Sequence, residues 1–319
     1  YGRVKKNDDG SYAIVTPHIH RLDNGTQTEF KEVRSLDEIT RDTSDTKYYC
    51  LSGNVVLSTV WAAPNRDISL CLNGNSITAP NGAPAITVGT GSTFTLMDCG
   101  KGKISGGSSG IAVEGGTFNL HSGVISGNTI GVLLNSGTCT LNGGSITQNT
   151  TTGVDYRDGT LTLSGGAKVI ENQGGEENKT KNILLHTGKT LSFGKLNADA
   201  RFGISVENSD SPEAPIPVTD ATGGKYFNNL FLDDALTNEL YQENGAVWLR
   251  TQGHEAHCVC GGTHTDIGNH TEENKLNFQP WNPYKENPAN PQMPTSMPAG
   301  VDGYYLTKDV TLNSIWKPS

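Results

Sequence analysis

Residues 117–141 read TFNLHSGVISGNTIGVLLNSGTCTL and contain one complete turn of a repeat. The string Thr117-Phe118-Asn119-Leu120 returns as Thr138-Cys139-Thr140-Leu141. Similar four-residue strings begin at Thr93, Thr160 and Thr190, and the earliest is Ser69-Leu70-Cys71-Leu72. The steps between successive copies are 24, 24, 21, 22 and 30 residues. Self-similarity at such a period is typical of solenoid proteins, in which each repeat forms one coil.

Each copy is accompanied by two further short strands. Upstream strands alternate apolar and polar residues, so their apolar pairs share one face. These pairs are Ile86/Val88, Ile111/Val113, Val132/Leu134, Val154/Tyr156 and Ile183/Leu185. Downstream strands follow Gly-rich corners, as in Val124-Ile125-Ser126, Ser145-Ile146-Thr147 and Lys168-Val169-Ile170. Three short strands per coil of about 22 residues predict an all-β, right-handed parallel β-helix.

Stacked coils bury apolar columns that no single coil could bury alone. Two predicted inward columns are Phe94, Phe118, Cys139, Leu161 and Leu191, and Leu96, Leu120, Leu141, Leu163 and Phe193. Asn128, Asn149 and Asn172 occupy one corner of successive coils. Stacked Asn side chains pass amide hydrogen bonds from coil to coil, so we predict an asparagine ladder there.

The composition limits the partners. Only 34% of the 319 residues are hydrophobic, which suits a thin core, and the formal net charge is −9. Nucleic acid binding relies on clustered Lys and Arg, so a nucleic acid partner is not expected. No apolar run approaches the roughly 20 residues that span a bilayer, so membrane insertion is not expected either. Six cysteines are too few for a disulfide scaffold of this length, and their pairing stays open.

A longer repeat divides the chain into modules. Tyr48-Tyr49-Cys50-Leu51 begins a stretch that ends at Trp61, and Tyr304-Tyr305-Leu306-Thr307 begins a similar one that ends at Trp316. We therefore predict one whole module flanked by parts of two others, with tandem modules in a longer parent chain. The predicted segments are 1–46, the tail of the preceding module and a linker; 47–193, the β-helix; 194–251, a small β-rich cap; 252–303, a Pro/His-rich linker; and 304–319, the start of the next module.

The short strings resemble those of large repeat-containing β-helix surface proteins of gut commensal bacteria. The resemblance is carried by His257-Cys258-Val259-Cys260-Gly261, by Leu72-Asn73-Gly74-Asn75-Ser76-Ile77 and by Gly123-Val124-Ile125-Ser126-Gly127-Asn128. It implies secretion and display at the cell surface or cell wall. Superantigen-like immunoglobulin-binding proteins are among proteins of this kind, so the resemblance implies host immunoglobulin or another mucosal glycoprotein as the partner. Cofactors are not expected.

One outward face is the candidate binding surface. It is predicted to consist of Ala112, Glu114, Leu133, Asn135, Asp155 and Arg157. Polysaccharide lyases and hydrolases on this fold need clustered carboxylates, for Ca²⁺ or for acid–base work. We find at most one carboxylate per coil here and assign no catalytic residue. The interpretation is a non-enzymatic binding module; a carbohydrate-active enzyme and a passive structural spacer remain the alternatives.

Metal ligation is considered for the second linker, where imidazoles and thiols cluster. The residues are His254, His257, Cys258, Cys260, His264 and His270. Thiolate and imidazole are zinc donors, but Cys-x-Cys lacks the usual two-residue spacer. The equivalent first linker contains only His18 and His20, without thiols. We therefore assign no metal ligands, and zinc binding by the second linker stays open.

Overall fold

The computed structural model describes residues 3–6, 9–21, 25–175, 181–207, 214–233, 238–251, 278–281 and 303–306. Contacts divide the chain into a larger unit that holds the coils and a smaller one that includes 250–319. No helix within the described ranges is both long and apolar enough to cross a membrane.

The described elements are almost all strands. The N-terminal ones are β1 (Arg3–Lys6), β2 (Tyr12–Val15), β3 (His18–Arg21), β4 (Gln27–Val33) and the helix α1 (Leu36–Arg41). The coil strands are β5 (Tyr48–Leu51), β6 (Val55–Val56), β7 (Trp61–Ala62), β8 (Asp67–Cys71), β9 (Ile77–Thr78), β10 (Ile86–Gly89), β11 (Thr93–Met97), β12 (Lys103–Ser105), β13 (Ser109–Leu120), β14 (Val124–Ile125), β15 (Ile130–Leu141), β16 (Ser145–Ile146), β17 (Thr152–Tyr156), β18 (Thr160–Gly165), β19 (Lys168–Val169), β20 (Ile183–Leu185), β21 (Ser192–Leu196) and β22 (Arg201–Val206). The C-terminal ones are β23 (Ile216–Pro217), a 3-10 helix (Gly223–Asn229), β24 (Leu230–Leu232), β25 (Asn238–Glu243), β26 (Ala246–Thr251), β27 (Phe278–Trp281) and β28 (Gly303–Leu306).

The coil strands stack in parallel into a β-helix of about eight turns spaced about 22 residues apart, which confirms the predicted fold. Three sheets run along it. Sheet A contains β7, β10, β17, β20 and the first halves of β13 and β15. Sheet B contains β4, β5, β8, β11, β18, β21 and the second halves of β13 and β15. Sheet C contains β6, β9, β12, β14, β16 and β19.

The register in sheet B confirms the predicted columns and corrects the earliest copy. Phe94 pairs with Phe118, which pairs with Cys139 and then Leu161, and all four side chains are fully buried. On the other side, Phe94 pairs with Ile68 and not with Leu70. The earliest copy is therefore Asp67-Ile68-Ser69-Leu70, two residues before the predicted Ser69-Leu70-Cys71-Leu72. A slip of two residues keeps every side chain on its face, which is why both alignments look equally good in sequence.

Glycine lets one strand turn a corner without ending. β13 and β15 each join two of the predicted strands into twelve continuous residues, with register shifts at the bend. Gly137 lies at the bend of β15 with φ of 87°, and a Cβ there would strike the carbonyl oxygen of Gly116 in the coil before. Any other residue would be both strained and too large at this position.

The predicted asparagine ladder is present and buried. The Oδ1 of Asn149 accepts hydrogen bonds from the backbone N–H and from Nδ2 of Asn128, both at 3.1 Å. In the same way, the Oδ1 of Asn172 accepts from the backbone N–H of Asn149 at 3.1 Å and from its Nδ2 at 2.8 Å. The structure adds Asn182 as a fourth rung and ends the ladder on the carboxylate of Asp233. Burial raises the pKa of Asp233 above its ordinary value.

The coils continue beyond both predicted boundaries of the β-helix. At the N-terminal end, β4 pairs in parallel with β5, and α1 packs Leu36 and Ile39 into the same core. At the other end, β22 pairs in parallel with β19 and β20, and β24 pairs with β22. A separate three-stranded sheet, in the order β23-β26-β25, follows within the predicted cap region. The open core is thus covered by α1 at its beginning, as a solenoid requires.

The smaller unit repeats one feature of the larger. β27 lies inside the predicted second linker and pairs in parallel with β28, the strand that contains Tyr304 and Tyr305. In the larger unit, β4 pairs in parallel with β5, which contains Tyr48 and Tyr49. The same strand arrangement thus precedes each Tyr-Tyr string, and the tandem modules stay a prediction.

Cysteine reactivity should follow burial. Cys139 is fully buried in the core column, and burial raises its pKa to about 12, whereas Cys99 is exposed. We expect iodoacetamide to alkylate Cys99 in the reduced, metal-free chain and to reach Cys139 only after denaturation, because the thiolate is the nucleophile. Peptide mass mapping over time measures both sites. Equal rates at the two sites would contradict the inward placement of Cys139.

Candidate functional site

The six predicted binding residues lie on the outer side of sheet A, but not all of them are accessible. Ala112, Leu133 and Asp155 are direct partners on β13, β15 and β17. Ala112 is 2% exposed and Asp155 5%, so neither offers a free surface. Glu114 and Arg157 are exposed, and Leu133 and Asn135 are half-buried. The accessible part of the predicted surface is therefore these last four residues.

Hydrogen bonds join these side chains across coils. Asn135 Nδ2 donates to Glu114 Oε1 at 2.7 Å, one coil away. Arg157 donates to Asp155 Oδ2 from Nε at 3.0 Å and from Nη2 at 2.8 Å, and Nη1 lies 3.5 Å from Asn135 Oδ1. Two N–H groups of Arg157 thus converge on one carboxylate oxygen, which holds the guanidinium group in place at the surface.

Two residues that the sequence interpretation missed extend this chain of contacts. His186 Nε2 lies 2.8 Å from Asp155 Oδ1, and His186 Nδ1 lies 3.3 Å from Glu207 Oε1. Glu207 Oε2 accepts from the backbone N–H of Thr187 at 3.2 Å and from its hydroxyl at 3.1 Å. The backbone N–H contact is the main reason why the pKa of Glu207 is lowered. A signal was present, because His186 follows Leu185 as Arg157 follows Tyr156 in the paired strands.

We call this set the polar ladder: Glu114, Asn135, Arg157, Asp155, His186 and Glu207. Asp155 and Glu207 have donors on both carboxylate oxygens, whereas Glu114 uses one oxygen of its carboxylate. Both oxygens of Asp155 and both oxygens of Glu207 have partners, and nearby Asp158 forms an ion pair with Lys189. A nucleophilic or general-acid carboxylate must direct a free oxygen at its substrate, which Asp155 and Glu207 do not offer. The arrangement instead suits a fixed polar surface with alternating charge.

A second cluster lies on the outer side of sheet B. The Nε2 atoms of His18 and His20 lie 2.7 Å apart, and His18 Nε2 lies 3.3 Å from Cys71 Sγ and 3.9 Å from Cys99 Sγ. The two sulfur atoms are 3.8 Å apart. Burial lowers the pKa of both imidazoles and raises that of the Cys71 thiol to about 12. The first linker contains no thiol itself, but its two histidines lie beside thiols of the coils, Cys71 and Cys99. The residues His254, His257, Cys258, Cys260, His264 and His270 of the second linker lie outside the described residues.

No protein-family model matches the chain, and no match is found among curated proteins or among solved structures.

Proposed function

We propose that this chain is a non-enzymatic binding module of a secreted or cell-wall-displayed bacterial repeat protein. The proposal rests on one observation, the polar ladder. Its side chains are held in place by hydrogen bonds between neighbouring coils before any partner arrives. Rigid side chains lose little conformational freedom on binding, so a pre-ordered surface binds at lower entropic cost.

The ladder has apolar neighbours that suit a protein partner. Leu133 and Leu184 are half-buried and pair with Asp155 from the two adjacent coils. An exposed arginine beside partly exposed leucines is the composition that interface centres favour, since Arg is enriched at hot spots. Tandem modules would add avidity without strong affinity at one site.

Host immunoglobulin, or another mucosal glycoprotein, is the partner we propose. This choice follows from the resemblance of the short strings to those of surface proteins of gut commensal bacteria. The engaged carboxylates of Asp155 and Glu207 favour binding over polysaccharide cleavage. A passive spacer predicts no partner at all, so binding itself separates it from the proposal.

The test is biolayer interferometry of the whole chain against polyclonal human IgA, IgM and IgG, with mucin and plant polysaccharides in parallel. We expect saturable binding to immunoglobulin Fab, independent of antigen specificity. Mucin binding without immunoglobulin binding would transfer the proposal to the glycoprotein partner. Binding and cleavage of a polysaccharide would favour the carbohydrate-active enzyme instead. If the chain bound none of the analytes, the passive structural spacer would be favoured.

The double variant Leu133→Asp, Arg157→Glu tests the surface itself. We expect the Kd to rise about thirtyfold or more, because interface hot spots contribute about 2 kcal/mol or more. The matched control is Val124→Asp, Lys103→Glu, which makes the same kinds of change on paired residues of sheet C. Circular dichroism checks that both variants fold. Unchanged affinity in the first variant would exclude the polar ladder as the binding surface.

A further inference from the structure

Four side chains from distant parts of the sequence converge beside sheet B. His18 and His20 are two residues apart on β3, so they share one face of that strand, while Ile19 between them is 51% exposed. β3 folds back antiparallel on β4 and pairs His18 with Phe30. The hairpin therefore turns both imidazoles toward the coils. Cys71, at the end of β8, and Cys99, at the corner after β11, meet them there.

The donor atoms have the spacing of a four-coordinate metal site. All four lie within 4.8 Å of one another. Zn–S bonds of 2.3 Å and Zn–N bonds near 2.05 Å give tetrahedral edges of about 3.8 Å between sulfurs and about 3.6 Å between nitrogen and sulfur. The sulfur–sulfur distance is 3.8 Å, and the two nitrogen–sulfur distances from His18 are 3.3 and 3.9 Å. The 2.7 Å between the two imidazole nitrogens must lengthen by about 0.6 Å, and every other pair of donor atoms lies within 4.8 Å.

We propose that His18, His20, Cys71 and Cys99 bind one Zn²⁺ as a closed structural site. Two imidazoles and two thiolates form a donor set that zinc favours, and four protein ligands leave no open position for substrate. On binding, each thiol loses its proton to solvent, so two protons are released and the two thiolates neutralise the ion. The proposal goes beyond the binding function and is independent of it.

The surroundings of the cluster are those of a supported site. The backbone N–H of Asn73 donates to Cys71 Sγ at 3.3 Å, as outer partners of metal ligands do. The Phe30 ring lies 4.6 Å from the His20 ring and 6.0 Å from the His18 ring, and it forms a small apolar cluster with Cys50 and Cys71. Cys50 is buried beside Cys71 but is not among the four converging donors, which makes it the natural control thiol.

The site would fasten the β3–β4 hairpin to the coils. His18 is separated by 53 residues from Cys71 and by 81 from Cys99, so one ion closes two long loops. Cross-links that close long loops remove much entropy from the unfolded chain. A disulfide between Cys71 and Cys99 is the competing chemistry, since the sulfurs are near but well beyond the 2.05 Å bond length.

The experiment uses the whole chain with Cys258→Ser and Cys260→Ser, so that thiols of the second linker cannot contribute. The protein is reduced, stripped with a chelator, and titrated with Zn²⁺ and separately with Co²⁺. We expect one tightly bound Zn²⁺ per chain by mass spectrometry of metals. The Co²⁺ form should show the intense visible absorption of a tetrahedral site and sulfur-to-metal charge transfer in the near ultraviolet.

Adding Cys99→Ser removes one of the two sulfur ligands, so the charge-transfer band of the Co²⁺ form should lose about half of its intensity. Zn²⁺ affinity should fall by more than the roughly 10- to 100-fold that the loss of an outer partner of a metal ligand costs. His20→Ala should lower the affinity in the same way, whereas Cys50→Ser should leave affinity and spectrum unchanged. Because Cys99 is exposed, its variant is expected to fold. The proposal is overturned if the reference chain binds no zinc, if Cys99→Ser binds it equally well, or if Cys71 and Cys99 form a disulfide and the reduced chain still takes up no metal.

Discussion

Replacing Asn149 with alanine is expected to lower the free energy of unfolding by about 2–3 kcal/mol. Asn149 is fully buried. Its Nδ2 donates to the carbonyls of Ile125 and Thr147 and to Asn172 Oδ1, and its Oδ1 accepts from Asn128. Alanine leaves the buried backbone N–H of Asn128 without this partner, while the carbonyl of Ile125 keeps only the backbone N–H of Thr147. Each buried polar group left unpaired costs about 1–3 kcal/mol.

Urea denaturation followed by circular dichroism measures this loss. Asn142→Ala is the matched control, because Asn142 is only partly buried just after β15 and no interaction of the ladder depends on it. We expect that variant to stay within about 0.5 kcal/mol of the parent. Asn149→Leu fills a similar volume without restoring any hydrogen bond. If the leucine variant matched the parent, the ladder would contribute packing alone and our account of it would be wrong.

Most of the fold could be predicted because the inward-facing apolar positions recur from one coil to the next. Phe94, Phe118, Cys139 and Leu161 occur at equivalent positions of successive coils, so the pattern itself indicates which strands are neighbours. The remaining ambiguity was physical. Ile68, Leu70 and Leu72 are apolar at a spacing of two, so strands starting at Asp67 and at Ser69 alternate equally well. Nothing in the sequence distinguishes these two strand starts. In the structure the strand starts at Asp67, because Ile68 pairs with Phe94.

The ends of the solenoid could not be predicted from the repeat. α1 packs on the first coil and is no part of the 22-residue repeat, so the repeat does not reveal it. Leu36 and Ile39, three residues apart, are buried on one side of a helix that is only six residues long. A single helical turn gives too weak a periodicity to stand out within a region that otherwise looks like a linker.

Local sequence patterns predicted part of the polar ladder but none of the His/Cys cluster. Alternation placed Asn135 and Arg157 correctly, and it would have placed His186 had the column been continued across the 30-residue step. Burial of Asp155 could not be foreseen, because it depends on His186 reaching it from the next coil. The His/Cys cluster could not be predicted from sequence at all. Its members are joined only by the folding back of β3, which no local pattern encodes.

The two proposals can be tested separately because they use different sheets. The polar ladder lies on sheet A between β13 and β22, and the His/Cys cluster lies on sheet B beside β8 and β11. A chain with Cys99→Ser should therefore bind its partner as the parent does, and a chain with Leu133→Asp and Arg157→Glu should bind zinc as the parent does. Loss of both activities in either variant would indicate unfolding.

Phe118→Ala should be the most destabilising single substitution in the coils, with a loss of about 3–5 kcal/mol in the free energy of unfolding. The Phe118 side chain is fully buried, and its ring stacks on Phe94 at 6.1 Å between centroids and 20° between planes. Cys139, the next member of the column, is too small to fill the space that the ring would leave. Urea denaturation measures the loss, and Asn119→Ala, one residue along the same strand with its side chain outward, is the control.

The position of the loss along the solenoid distinguishes our explanation from general unfolding. In a solenoid each coil contacts only its neighbours, so a cavity should weaken the coils on either side of it first. Native-state hydrogen exchange of the Phe118→Ala chain should therefore accelerate most in β11, β13 and β15, and least in β20 and β22. Uniform acceleration along the chain would show that the coils unfold as one cooperative block. A loss below about 1 kcal/mol would mean that the core closes over the cavity, and that the stacked rings contribute much less than their burial implies.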